Sequence, residues 1–461
     1  MLLKLNHKAI QILTLQTVFS SNVAPQSENS HKKIHQYFSN SGTKHPYPYL
    51  DFTKPSKIQS YLDQATSIHA LFRHGSRYPT TSKMNKQYKY FPDFDFPYKI
   101  DEQGLLSERG YLEHERLGLI SKVFFENQNL DLDKIQFRST HKPRAYTSME
   151  SFAKGANISK SQLSKISLIE PKIPKEIEGT NASFSKEYIL RFFDRCCQNY
   201  KTVDIRTDSA VEKFLKERNI HEKDLIRMDV CSSQILAGSK MSVEVLINPA
   251  NPKYTEILNC ENIPEDLWFV NDFKHYYKTG YDNEINYKPS SLVLNNFLKK
   301  LEEDFSQSSF YFAHAETLIP LLTLLDIPKF TFLKNLEKSS KKKELDFGPF
   351  NLTNFKNNPE IKNFLKTLTY PDTKSTKNSK IFIPDKSKYF WNTTEIAPMA
   401  GNIMFVLNAN DDRAVIALNE EIIEEFESIG EMVEFLKLKS IDGEEVQKLC
   451  ACDDLNAKGE L

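Results

Sequence analysis

The apolar positions of this chain fall into two rhythms. The first is a short, mostly apolar run: Ile68 to Phe72 has the look of a buried strand, Ile135 to Phe137 is a short β-type run, and Ser309 to Ala313 reads as a strand. A helix follows the second and third of these. Pro143 opens a helical stretch to Lys154 that Gly155 closes, and Leu318 to Leu325 continues the third run as an apolar helix. Asn402 to Leu407 and Arg413 to Leu418 are split by an Asn-Asp turn, which predicts a hairpin at the edge of a sheet. Strands handing over to helices predict an α/β fold. The second rhythm, helical periodicity, takes over from about 156 to 285. Phe184 to Tyr200 sets Ile189, Leu190, Phe192, Phe193, Cys196 and Cys197 at helical spacing, and Asp266 to Lys278 is an aromatic-rich helix stopped by Gly280. The layout expected is a discontinuous core over 25–155 and 286–455 with an α-helical cap inserted over 156–285. Residues 334 to 388, rich in Lys, Ser, Asn and Pro, read as a solvated loop.

Chemistry collects where the runs end. The first run leads into Arg73-His74-Gly75-Ser76-Arg77-Tyr78-Pro79, and a histidine between two arginines at a strand exit suits phosphoryl transfer. A neutral imidazole attacks phosphorus while guanidinium forks hold the phosphate oxygens. The second run ends in Arg138-Ser139-Thr140-His141-Lys142-Pro143-Arg144, which sets Arg138 at a strand-to-helix junction. The third leads into His314-Ala315-Glu316-Thr317. In open α/β sheets ligands bind outside the carboxyl ends of the strands, so the three segments are expected to meet at one crevice. Helix starts at 143 and near 316 would add amide N–H groups that favour an anion.

The first motif resembles the R-H-G-x-R-x-P signature of the histidine phosphatase superfamily, in its acid phosphatase branch. The second is similar to that family's phosphate-pocket arginine motif, with Lys142-Pro143 where simple acid phosphatases commonly have an acidic residue. Most of the branch has His-Asp at the third; His-Ala-Glu-Thr instead resembles the multiple inositol polyphosphate phosphatases, where the acid comes one residue later and is a glutamate. Asn271 to Tyr281, Pro398, Asn402, Asn419-Glu420, and Thr43-Lys44 with Pro46-Tyr47 are further text like that group's. The cysteine that the group often carries ahead of the first motif is missing here.

The resemblance implies a three-layer α/β/α core with a mostly parallel sheet and the inserted helical cap. It also implies hydrolysis of phosphate monoesters, inositol polyphosphates including phytate above all, through a covalent phosphohistidine. His74 would be the nucleophile. Arg73, Arg77 and Arg138 with His314 would neutralise charge on the equatorial oxygens, and Glu316 would protonate the leaving group and then deprotonate water. Lys142 and Lys44 would extend the substrate site, whereas Lys83, Lys86 and Lys89 read as solvated surface lysines. A broad acid phosphatase and a bisphosphoglycerate phosphatase are alternatives within enzymes. A catalytically silent phosphate-binding protein is the alternative from another class, and it predicts loss of the nucleophile or an arginine; here every expected type is present.

Composition narrows the partners. Lysine plus arginine equals aspartate plus glutamate at 61 each, so no global field draws in nucleic acid or an anionic membrane. The expected partner is a small polyphosphorylated molecule met by a monomer. No metal and no cofactor is called for: the chain has no His-Glu-x-x-His and no paired Cys-x-x-Cys. At 461 residues and 39% hydrophobic it is long for one simple domain, which fits a core with an insertion. Lys4 and Lys8 precede the more apolar stretch Ala9 to Ala24, the order of a signal peptide over 1–24. Four sequons, at Asn157, Asn181, Asn351 and Asn392, and six cysteines are compatible with the secretory pathway, either extracellular or in the endoplasmic reticulum. The ending Lys458-Gly459-Glu460-Leu461 is one residue from a retrieval address for that compartment.

Overall fold

A computed structural model describes residues 41–450 apart from 51, 53, 95, 97, 127–130, 173–187, 192–196, 198, 238–259, 261, 262, 340–349 and 368–389. The expected signal segment, the sequon at Asn181 and the last four residues therefore lie outside the described residues. Seven strands form one sheet: β1 (Ser67–Arg73), β2 (Ile135–Ser139), β3 (Ser167–Ile169), β4 (Ser308–Ala313), β5 (Asn402–Asn408), β6 (Arg413–Leu418) and β7 (Glu421–Phe426). The helices that matter below are α1 (Thr81–Tyr90), α2 (Glu108–Phe125), α3 (Pro143–Gly155), α4 (Lys160–Ile166), α5 (Tyr200–Glu217), α6 (Glu222–Leu236), α7 (Glu265–Thr279), α8 (Ser291–Glu303), α9 (Ala315–Leu324), α10 (Ile327–Ser339) and α11 (Pro359–Thr367).

The strand order is β3-β2-β4-β1-β5-β6-β7. The β1–β4, β2–β4 and β2–β3 pairs are parallel; β1–β5, β5–β6 and β6–β7 are antiparallel. The sheet is thus mixed, half parallel rather than mostly so. The hairpin read at 402–418 is present as β5 and β6, but β5 pairs with β1 and the added strand β7 takes the edge.

Side chains alternate across the sheet with the period of a strand. Ala70, Phe72, Phe137, Phe310 and Phe312 face Leu117, Ile120, Phe124 and Phe152 of α2 and α3. Phe72 stacks on Phe312 at 4.9 Å and Phe137 on Phe310 at 5.1 Å between ring centroids. Leu71, Tyr311 and Ala313 face the other way, into a second core with Phe273, Phe297, Leu301 and Leu318 of α7, α8 and α9. Helices on both faces make three layers, as expected. Under the first face α2 and α3 touch backbone to backbone: a Cβ at Gly118 would stand 2.0 Å from the Phe152 carbonyl oxygen, and one at Gly155 2.0 Å from that of Glu115.

Three expectations change. β3 lies inside the stretch assigned to the cap, so the sheet continues to Ile169. Tyr188 to Arg191 is a turn where a helix over 184–200 was expected, and α5 starts only at Tyr200; residues 184–187, 192–196 and 198 lie outside the described residues. The apolar residues at 189 and 190 instead enter the sheet's second core from that turn. The stretch read as a loop over 334–388 carries the end of α10 and all of α11, which packs Ile361, Phe364 and Leu365 inward at helical spacing. Helix α7, by contrast, matches its reading to within a residue, with Gly280 as its C-cap.

Candidate active site

Register alone brings two of the three motifs together. Arg73 pairs with Ala313 and Ser139 with Phe312, so the parallel strands β1, β4 and β2 end level. His74 and His314 are the next residues of β1 and β4, and their rings meet edge to face with centroids 5.3 Å apart. The His74 N–H donates to the Ala313 carbonyl at 3.0 Å, and the Ala400 N–H to the His74 carbonyl at 3.0 Å, which fixes the strand exit on both sides.

The tautomer of His74 follows from its partner. Its Nδ1 lies 2.9 Å from the Gly75 carbonyl oxygen, which only accepts, so Nδ1 carries the proton and Nε2 keeps the lone pair. Burial holds the ring well below its ordinary pKa, and the charges of Arg144, Arg73 and Arg77 push it the same way. His74 is therefore a neutral imidazole in a cationic site. His314 is likewise held neutral, by burial and then by Arg144 and Arg191, with its Nε2 2.9 Å from Thr140 Oγ1.

The loop after His74 is anchored by Glu113 of α2. This fully buried carboxylate accepts from the Ser76 N–H at 2.6 Å, the Ser76 hydroxyl at 2.7 Å and the Tyr47 N–H at 3.1 Å, with Arg109 Nε at 3.3 Å. On α3, Ser148 Oγ accepts from the Gly75 N–H at 3.1 Å. Arg73 is held from behind: its Nη1 donates to the Ala397 carbonyl at 2.7 Å and to that of Thr43. The Nε groups of Arg73, Arg77 and Arg144 are buried without a hydrogen-bond partner. Buried donors are normally satisfied, so three such N–H groups around one neutral histidine are what an anion site requires.

Arg138 is placed differently from its expectation. β2 runs two residues further than Phe137, so Arg138 sits inside the strand opposite Tyr311 and points to the sheet's face. There its Nε donates to Glu170 at 2.8 Å, both side chains almost fully buried. Arg144, at the second position of α3 after Pro143, supplies the cation that acts most on His74.

Glu316 lies in the first turn of α9. Burial alone would raise its carboxyl, but Arg191, His275 and Lys278 overcome this and take it down to about 2. Arg191 comes from the 188–191 turn and His275 from α7. The His275 Nε2 is 3.2 Å from Thr43 Oγ1, and burial lowers its ring to about 3. Arg191 carried no sequence signal of its own; His275 lay within the family-like stretch Asn271 to Tyr281 and Arg144 within the second motif, neither with a role assigned to it.

The expected outer lysines separate. Lys44 and Lys83 share Asp229 of α6, with Lys83 Nζ 2.9 Å from its Oδ2. Burial, together with Arg77 and Lys274 nearby, takes Lys83 down to about 8, and Lys44 is also held well below its ordinary value, chiefly by burial. Lys83 thus stands beside Lys44 while its side chain stays partly in solvent. Lys86 is exposed and paired with Glu222 at 2.7 Å, and Lys89 is exposed. Lys142 is the half-buried N-cap of α3.

Comparison with known proteins adds a family. Residues 65–416 match the model of the Histidine phosphatase superfamily (branch 2). The chain is 24% identical over 296 residues to Multiple inositol polyphosphate phosphatase 1 of Gallus gallus, and 23% identical over 306 residues to that of Homo sapiens. Each match takes in 56% of this chain but only 62% and 61% of the relatives, so the chain spans less than two thirds of their length. Among solved structures it resembles the phytase from D. castellii, with a TM-score of 0.52, 12% identity, and coverage of 88% of this chain and 85% of that one. At that identity the likeness is one of fold.

Proposed function

This chain belongs to branch 2 of the histidine phosphatase superfamily, and we propose that it hydrolyses phosphate monoesters through a phosphohistidine at His74, with inositol polyphosphates as its substrates. The observation that carries this reading is the pairing of a neutral His74, its Nε2 lone pair free by tautomer, with unpartnered guanidinium N–H groups of Arg73, Arg77 and Arg144. In the first step Nε2 attacks phosphorus, the P–O bond to the leaving group breaks, and Glu316 gives that oxygen a proton. In the second, Glu316 takes a proton from water, whose oxygen attacks phosphorus and releases His74. The arginines stabilise charge on the equatorial oxygens throughout. Arg144 takes the role first expected of Arg138.

The inositol polyphosphate class is supported by the two curated relatives, and by Lys44 and Lys83 beside Arg77, where further phosphates of one substrate would be met. The helices from α5 to α7 are proposed to act as the cap over this crevice. Disulfides join Cys197 to Cys450 and Cys231 to Cys260, which favours the secretory pathway as the compartment. The test is direct: enzyme mixed with phosphate-labelled substrate and quenched in acid should retain label on the protein, and His74→Ala should lose both label and turnover. Label retained in that variant would refute the assignment.

A further inference from the structure

Arg138 and Glu170 form a buried ion pair outside the ring of cations around His74. Such a pair is weak evidence for stability, because desolvating two charges offsets much of their attraction. Its geometry suggests another role. Glu170 follows β3, and its N–H donates to the Ser139 carbonyl at 2.7 Å, so the carboxylate is fixed to the end of β2. The oxygen that takes the Arg138 Nε–H at 2.8 Å also accepts from the Leu190 N–H at 3.1 Å. The Leu190 carbonyl in turn accepts from Thr317 Oγ1 at 2.6 Å, one residue from Glu316. One residue of the insertion is thus clamped at its N–H by the sheet and at its carbonyl by the helix that carries the acid. The next residue is Arg191, the cation that acts most strongly on the Glu316 carboxyl.

We infer that the Arg138–Glu170 pair is a positioning device that holds the 188–191 turn so that Arg191 stands against Glu316 and sets when that carboxyl binds its proton. This rests on the phosphatase reading, with Glu316 as proton donor. The other groups that face Glu316 are His275 and Lys278 from α7, Arg73 and Arg77 from the exit of β1, and Arg144 from α3. Only Arg191 is carried by the clamped turn.

The sign is fixed. Withdrawing a cation raises the carboxyl's pKa, and an acid that must be protonated then serves to higher pH. Replacing both partners at once, Arg138→Leu with Glu170→Met, avoids leaving one buried charge alone. In that double variant the alkaline limb of kcat for an alkyl phosphate ester should move up by about one pH unit, the low end of what an adjacent guanidinium does to a carboxyl. The same limb with p-nitrophenyl phosphate, whose leaving group needs little protonation, should move much less. Arg191→Met should reproduce the shift, and Arg138→Lys, which keeps the pair's charge, should restore the wild-type limb. Should the double variant fail to fold, Thr317→Val, which removes only the clamp on the Leu190 carbonyl, carries the same expectation. A merely structural pair would lower the melting temperature and kcat while leaving the limb in place, and that result overturns the inference. So does a limb that moves in Arg191→Met alone. Label trapped on His74 in every variant keeps either failure separate from failure of the phosphatase reading.

Discussion

Arg144→Met is the sharpest test of which arginine completes the site. Arg144 enters at the second residue of α3, has a buried Nε without a partner, and heads the charges acting on His74. Two effects follow, with separable signatures. The first is loss of one preorganised donor to the transferring phosphoryl group, which costs about 2.7–4 kcal/mol, or about 10²- to 10³-fold in kcat. The second concerns the nucleophile, which must be unprotonated to attack. Burial and three cations hold its pKa down, so removing one of them raises it and moves the acid limb of kcat/KM to higher pH. Steady-state rates with an aryl phosphate, measured from acid to neutral pH, read both at once. Arg144→Lys separates them: it keeps the charge that sets the limb but lacks the planar fork that binds two oxygens, so the limb should return further than the rate. If Arg144→Met keeps kcat within about tenfold of the wild type, where loss of such a donor should exceed that, the arrangement drawn around His74 is wrong.

Glu316→Gln should slow alkyl phosphate esters by about 10²-fold or more, the usual contribution of a general acid, and aryl phosphates with good leaving groups much less; equal losses on both would remove Glu316 from that role. Binding of inorganic sulfate, a dianion with no proton of its own to lose near neutrality, should draw in protons from solution, because its charge offsets the cations that hold the Glu316 carboxyl at about 2. Calorimetry in buffers of different ionisation enthalpy measures this uptake, and none at neutral pH would contradict the charge assignment. Gly118→Ala should destabilise the fold by about 1–3 kcal/mol through overpacking against the Phe152 carbonyl, seen as a lower melting temperature; an unchanged value would mean that α2 and α3 separate at little cost.

The sheet was legible because each central strand holds a short, mostly apolar stretch that leads into polar motif residues. Where a strand ends was less so. The polar pair Arg138-Ser139 looks like a strand exit, yet both residues lie in β2, since Glu170 supplies the partner that lets a guanidinium stay on the sheet's covered face. That shift of two residues pairs Arg138 with Glu170 and leaves Arg144 as the cation of this segment that acts on His74, the basis for proposing it as the phosphate-pocket arginine. Arg191 and His275 were hidden for a different reason. A helix over 265–279 can be read from its periodicity, but which of its polar residues turns towards Glu316 depends on how the helix docks. The turn that carries Arg191 is tied by two hydrogen bonds at Leu190, whose N–H donates to Glu170 and whose carbonyl accepts from Thr317, pairs 20 and 127 residues apart. Helix α11 was masked by composition, its inward Ile361, Phe364 and Leu365 diluted by flanking lysines and asparagines.

A hydrolase of this design needs a nucleophile without its proton and an acid with one, in the same crevice and at the same pH. The cations solve only the first half. They keep His74 and His314 neutral, but they also strip Glu316, whose carboxyl at about 2 is no acid near neutrality. The second half has to come with the substrate. A phosphate dianion among Arg73, Arg77 and Arg144 cancels much of the field that depresses Glu316, and so raises that carboxyl when a leaving group is there to receive the proton. The same dianion raises His74, but there the tautomer protects the reaction: Nδ1–H is already committed to Gly75, and in the proposed attack the phosphorus would take the place of a second proton on Nε2. A substrate with several phosphates, reaching Lys44 and Lys83 as well, brings more of the compensating charge than a simple ester does. On the proposed mechanism, a preference for polyphosphorylated substrates would follow from how the acid is charged as well as from how tightly they bind.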